Sequence, residues 1–199
     1  MIVRRVVHID ADPIPRPFSR DEYWAMAKLG FFDDQRVELI GGEVVVVAAQ
    51  GNAHGAGVTL VRRALEAAFG DGYWVQTQQT LDLAPHSQPD PDVAVVVGDP
   101  AHPAEEIATT ALLIVEVSGT TLRTDRGRKA SLYAAAGIPD YWIVNLQDLQ
   151  LEVRRDPQPD SAQEFGHGYG SLRTYQLTDS VSPLALPAVI IPVDRLIPQ

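Results

Sequence analysis

Apolar and polar positions follow two different periods along this 199-residue chain, and the places where one gives way to the other mark its elements. Ser19-Arg20-Asp21-Glu22 has the form of a capping box and predicts a short helix through about Leu29. Val37 to Ile40 and Glu43 to Ala49 are strand-like runs on either side of Gly41-Gly42, a pair suited to a tight hairpin. Asn52 is placed to cap the next helix, where Val58, Val61, Leu65 and Ala68 recur at helical spacing. Tyr73 to Leu83 reads as a long extended segment.

Val93 to Val97 is a continuous β-branched run of the kind found in strands covered on both faces, and Ala111 to Val117 is similar. Asp125 to Ala136 is helical in pattern, and Gly137 followed by Pro139 stops it. Tyr141 to Leu146 and Leu149 to Arg155 predict two strands joined by a short turn. Pro157 to Gly170, rich in Pro, Gly and polar residues, predicts an exposed loop, and residues 171–199 short strands and turns. Pro13, Pro15 and Pro17 mark an irregular entry segment. This order predicts an α/β or α+β fold: a mixed sheet flanked by helices, with an N-terminal helix and β-hairpin. The length suits one domain over 1–199, or two small lobes, with a core at about 18–155 and C-terminal strands and turns at 156–199.

A hydrophobic fraction of 45% and a charged fraction of 21% describe a chain able to bury a core. No apolar run is long enough to span a membrane, and Met1 to Asp10 lacks the apolar stretch of a signal peptide, so the expectation is a cytoplasmic protein. Without cysteine there is no disulfide or thiolate metal site, and any metal must take oxygen or imidazole ligands, which favours Mg²⁺ or Mn²⁺ over structural zinc. The formal net charge of −10 argues against a protein that coats nucleic acid without specificity, but it leaves room for a nuclease. Arg62, Arg63, Arg123, Arg126, Arg128 and Lys129 form a modest local excess of positive charge that is equally a solvated helix face.

Two carboxylates stand out. Asp92 follows Pro91 at the start of a strand, held there by the ring of the preceding proline. Glu116 lies 24 residues further on, after four apolar residues, where a charge needs a partner. Lys129 comes 13 residues after Glu116, inside the helical pattern, four positions from both Asp125 and Tyr133. An ordinary Asp125–Lys129 helical pair accounts for it, with Asp125 also able to cap the helix. Alternatively, the amine points at the strand ends, and two acids with a lysine then make a metal site for cleaving phosphodiesters.

These segments resemble the PD-(D/E)xK nuclease superfamily, and within it a large bacterial family of restriction-endonuclease-like proteins. The resemblance runs through Pro89-Asp90-Pro91-Asp92-Val93-Ala94-Val95-Val96, then from Ile114-Val115-Glu116-Val117 through Lys129 and Leu132-Tyr133-Ala134 to Gly137-Ile138-Pro139-Asp140-Tyr141-Trp142-Ile143-Val144-Asn145. It extends to Val37-Glu38-Leu39-Ile40-Gly41-Gly42-Glu43-Val44 and to His54, and covers roughly 18–155. It implies a restriction endonuclease-like core with Asp92, Glu116 and the Val117 backbone carbonyl on Mg²⁺ (Mn²⁺ as the alternative). Where the superfamily has a lysine two residues after the acid, this chain has Ser118, and the resemblance transfers that role to Lys129. Glu38 resembles an auxiliary acid, with a solvent-facing hairpin charge as the alternative, and Gln78 is a candidate to orient water or phosphate, with a plain strand residue as the alternative. Tyr133, Tyr141 and Trp142 are expected to pack the core.

The implied function is metal-dependent endonuclease action on nucleic acid, DNA in the first instance, by a protein able to form homodimers. A catalytically inactive binding or assembly module of the same fold is the rival. Serine hydrolysis is disfavoured: there is no Gly-x-Ser-x-Gly, and Ser118 has no evident histidine base. His54 and His86 are too distant in sequence to imply a zinc pair, and no P-loop is present.

Overall fold

A computed structural model describes residues 14–47, 50–83 and 86–199. Readings that fall on Met1 to Asp10, Pro13, Ala48 and Ala49 lie outside them. The elements run α1 (Arg20–Lys28), β1 (Val37–Ile40), β2 (Glu43–Val46), α2 (Asn52–Phe69), β3 (Tyr73–Thr77), β4 (Val93–Val97) and β5 (Leu113–Ser118). A composite helix follows: α3 (Leu122–Thr124), a π turn (Asp125–Lys129) and α4 (Ala130–Ala135). Then come β6 (Asp140–Asn145), β7 (Gln150–Pro159), β8 (His167–Tyr175), β9 (Ser180–Val181) and β10 (Ile191–Pro192).

Six strands form one sheet in the order β3-β4-β5-β6-β7-β8, and only the β5/β6 pair is parallel. A parallel pair needs a crossover, and the composite helix supplies it. Strand period two then sorts the core. Leu113, Val115 and Val117 of β5, with Trp142 and Val144 of β6, pack against Val61, Leu65 and Phe69 of α2 and against Val193, Leu196 and Ile197. Ile114, Tyr141 and Ile143 face the other way, against Leu132 and Tyr133 of α4. Glu116 has the parity of Ile114 and so belongs to the α4 face.

α1 begins as read: the Ser19 side chain accepts from the Glu22 N–H, and Glu22 reaches back to the Ser19 N–H. Gly41 and Gly42, at φ 59° and 82°, make the hairpin turn. Three readings change. Gly51, not Asn52, is the N-cap of α2. The extended segment after Tyr73 ends as a strand at Thr77, because Gln78 turns to φ 51°. Half of 157–170 is sheet, with 160–166 left as the connecting loop: Pro157 pairs with Tyr169 and Pro159 with His167. Pairing with β6 stops at Asp140 and Arg155, so a proline beyond that point forfeits no bond to β6. Among the described residues no helix is long and apolar enough to cross a membrane.

Candidate active site

The antiparallel β4/β5 register sets Val93 against Val115, so the next pair outward is Asp92 and Glu116. The two acids interlock through the main chain. The Val117 N–H donates to Asp92 Oδ2 at 2.8 Å, and the Asp92 N–H donates to Glu116 Oε2 at 3.3 Å. Lys129 arrives from the crossover helix with Nζ 3.0 Å from Glu116 Oε1 and 3.3 Å from Glu38 Oε2. The structure therefore brings Asp92, Glu116, Lys129 and Glu38 together at the floor of one cleft of about 480 Å³. Glu38 is buried on β1 and does not face solvent. Gln78 sits one step removed: its Nε2 donates to Gln50 Oε1 at 2.7 Å, and Gln50 Nε2 donates to Asp92 Oδ1 at 3.3 Å.

Lys129 is not paired with Asp125. Asp125 Oδ2 instead accepts from the Ser118 and Thr121 hydroxyls at 2.6 and 2.7 Å. A π turn holds more residues than an α turn, so positions four apart, such as Asp125 and Lys129, no longer align on one face. The rest of the basic excess is largely engaged elsewhere: Arg62 with Glu66, Arg126 with Glu152, Arg128 with Glu43.

Sequence reasoning did not assign site roles to two residues that the cleft uses. His54, in the first turn of α2, lies with Nε2 2.9 Å from Asp92 Oδ2, while its Nδ1 is buried without a partner. Its place just inside a helix start on the way to the first acid was the available signal. Tyr133, expected only to pack, also donates its hydroxyl to Glu116 Oε1 at 2.6 Å. Its position four residues after Lys129 put both on one helix face. His86 contacts the Phe18 carbonyl instead, so the two histidines have separate partners.

The electrostatics separate these acids. Burial would raise Asp92, but the His54 contact, the Val117 N–H and the Lys129 charge outweigh it and hold its carboxyl below the ordinary range. Burial pushes Glu116 well up, against the pull of Lys129 and with help from Asp92, Asp125 and Glu38. Glu38, Asp90 and Asp125 are also raised, burial being the largest cause in each. Burial alone would lower the Lys129 ammonium, but Glu116, Glu38 and Asp125 together hold it above its usual value. The cleft thus contains one carboxyl shifted towards its ionised form, an ammonium shifted towards its charged form and several acids shifted the other way by burial.

The expected Mg²⁺ or Mn²⁺ site on Asp92, Glu116 and the Val117 carbonyl is not upheld. Among the described residues no three His, Asp or Glu groups are disposed to hold a metal ion. The physical reason is occupancy by protein donors. Glu116 Oε1 is taken by Lys129 and Tyr133, its Oε2 by the Asp92 N–H, and Asp92 Oδ2 by His54 and the Val117 N–H. Only Asp92 Oδ1, which carries the long Gln50 bond, is left lightly engaged, and one such oxygen does not make a metal site.

A model of the family described as "Uma2: Putative restriction endonuclease" matches residues 20–194. Among solved structures, the chain is similar to a protein titled a putative nuclease belonging to DUF820 from Anabaena variabilis ATCC 29413. The match has a TM-score of 0.69 and 12% identity, over 90% of this chain and 97% of that one, and at such identity it speaks for the fold alone. No curated protein matches the chain.

Proposed function

The chain belongs to the Uma2 family, and from that premise we propose that it is a nuclease, hydrolysing phosphodiester bonds of nucleic acid, DNA in the first instance, in the cleft around Asp92, Glu116 and Lys129. The observation that carries this reading is the Lys129 ammonium 3.0 Å from Glu116, beside Asp92, at the base of a cleft open to a ligand. Of the sixteen cationic side chains only Lys28 and Lys129 are lysines. A chain that otherwise uses arginine for its ion pairs has placed a compact point charge here, where arginine would be the ordinary choice for a buried pair.

Hydrolysis forms a bond from a water oxygen to phosphorus and breaks the bond to the leaving oxygen. The water gives up a proton, the leaving oxygen gains one, and negative charge gathers on the non-bridging oxygens. Lys129 supplies the opposing charge in a site that burial keeps at low dielectric. Asp92, ionised and in contact with His54, accepts the proton of the water. Its Oδ1 carries only the long Gln50 bond and is the oxygen free to do so. Glu38, whose carboxyl burial raises, returns a proton to the leaving oxygen.

A second reading, nucleic-acid binding or assembly without cleavage, draws on the same occupancy of Glu116 and Asp92 by protein donors. Purified wild type, Asp92→Ala, Glu116→Ala and Lys129→Ala are compared on single- and double-stranded DNA and RNA oligonucleotides, with buffer cation content varied as a control. Cleavage should fall by about a thousandfold or more in each variant. Cleavage that survives both carboxylate substitutions rejects the assignment. Oligonucleotide retention by wild type without product selects the second reading.

A further inference from the structure

We infer that Asp125 is a positioning residue, whose bonds to β5 and β6 hold open the π turn that carries Lys129 into the cleft. This deepens the nuclease reading and rests on it for its kinetic arm. Lys129 is the last residue of the turn and Asp125 the first. Relative to α geometry a π turn accommodates one extra residue, and each helical residue rotates the chain by about 100°. Rewinding the segment as α-helix would swing Lys129 by roughly that angle, away from Glu116.

Asp125 is fastened at both its side chain and its main chain. Its carboxylate accepts the Ser118 hydroxyl at 2.6 Å, and its carbonyl accepts the Tyr141 hydroxyl at 2.9 Å. Ser118 lies two residues beyond Glu116 on β5 and has the same parity. The strand that bears the lysine's target therefore also bears the anchor of the turn that delivers the lysine. The carboxylate is buried, and among the described residues its hydrogen bonds come from the Ser118 and Thr121 hydroxyls and not from a cation.

The chain's two lysines make the test direct, because Lys28 is exposed and serves as an internal reference. The full-length folded protein is treated with limiting trinitrobenzenesulfonate, and labelling of each lysine is read by peptide mass spectrometry. In wild type Lys28 reacts and Lys129 is protected. Asp125→Ala should raise Lys129 labelling relative to Lys28 by about tenfold, whereas Asp125→Asn, which keeps an acceptor for the hydroxyls, restores protection. If Asp125→Ala does not fold, Ser118→Ala and Tyr141→Phe each remove one anchor and are read in the same way. Lys129 that stays protected in the folded anchor variants overturns the inference.

The kinetic arm is a double-mutant cycle. Asp125→Ala should lower kcat with KM little changed, and should cost nothing further in a Lys129→Ala background. Losses that add instead show Asp125 acting independently of the lysine and overturn its positioning role. If Lys129→Ala cleaves like wild type, the nuclease reading fails, and the labelling arm still decides the inference.

Discussion

Asp140 and Glu152, on the neighbouring strands β6 and β7, are as deeply buried as the acids of the cleft, yet their surroundings are of another kind. Arg155 binds Asp140 through Nε at 2.8 Å and Nη2 at 3.2 Å, and the Trp142 indole and Leu184 N–H complete its shell. Glu152 takes Nε and Nη2 of Arg126, with Arg154 and Asn145 besides. Each of these carboxylates has at least one arginine of its own in fork geometry. In the cleft, Glu38 and Glu116 share a single ammonium, while Asp92 and Asp125 have no lysine or arginine bonded to them. Burial of a charge therefore does not by itself set the cleft apart in this protein; a shortage of cations, met by lysine and not arginine, does.

The sharpest test sets one acid from each region against the other. Asp92→Ala should reduce cleavage by about a thousandfold, close to 4 kcal/mol of transition-state stabilisation, with a small change in unfolding midpoint. Asp140→Ala should do the reverse. It strips a partly buried arginine of its partner and should cost about 3 kcal/mol of stability in urea unfolding, with cleavage per folded molecule retained. Equal kinetic damage from both would erase the distinction between the regions.

A smaller effect follows from making the cleft resemble β6 and β7. Lys129→Arg keeps the charge and can pair with Glu116, but its planar fork cannot occupy the point that a single ammonium fills. Cleavage should drop about a hundredfold while unfolding in urea stays within about 2 kcal/mol of wild type. An arginine variant that cleaves at the wild-type rate would show that charge alone, not lysine, is what the cleft requires.

These two regions were not equally open to reading from the chain. Ser19 and Glu22, or the pair Gly41-Gly42, act through bonds to residues within a few positions, so their pattern states their structure. Glu116 was visible because a carboxylate in an apolar strand needs a partner, and Asp92, just before β4, through the family resemblance that sets it beside Glu116. The partner of Lys129 was left open between Asp125 and the strand-end acids. Sequence spacing favours Asp125, and the π turn that redirects the lysine depends on hydroxyls of Ser118 and Tyr141 supplied by two strands. The strand through Pro157 and Pro159 was hidden for a similar reason. Proline argues against a strand until the pairing shows that β6 has already ended. The expected metal failed at the same level, since spacing cannot tell whether a carboxylate's lone pairs are free.

Stability against pH tests the shortage of cations without any substrate. A carboxyl raised above its unfolded value binds more protons folded than unfolded, so its contribution is greatest at low pH and is lost as pH rises through the folded value. Glu116 is raised, so wild type should lose stability relative to Glu116→Gln from about pH 4.5 upward, by at most about 1.4 kcal/mol per pH unit. Asp92, being lowered, has the opposite sign: its contribution is present above about pH 4 and lost as pH falls further. Urea unfolding at pH 5, 6, 7 and 8 measures the difference. Parallel curves for wild type and Glu116→Gln would mean that Glu116 is not held against its ionised form.

The smallest expected effect concerns packing beneath the cleft. Gly57 of α2 lies against β5, and a Cβ there would fall 2.7 Å from Val117 Cγ1, beside Glu116 in sequence. Gly57→Ala gains about 1 kcal/mol of helix propensity, but the overlap costs about 1 to 3 kcal/mol. The net should be a loss of about 1 kcal/mol. The helix relieves the overlap by moving outward, and His54, one turn earlier on α2, moves with it from Asp92. Cleavage should therefore fall about tenfold, more than so small a stability loss would account for. Val117→Ala in the same molecule removes the methyl group in the way, so the double variant should recover cleavage even though each single change damages the core. Additive losses would mean that α2 does not set the position of His54 through this contact, and that the open side of the cleft is held by something other than the packing of helix on strand.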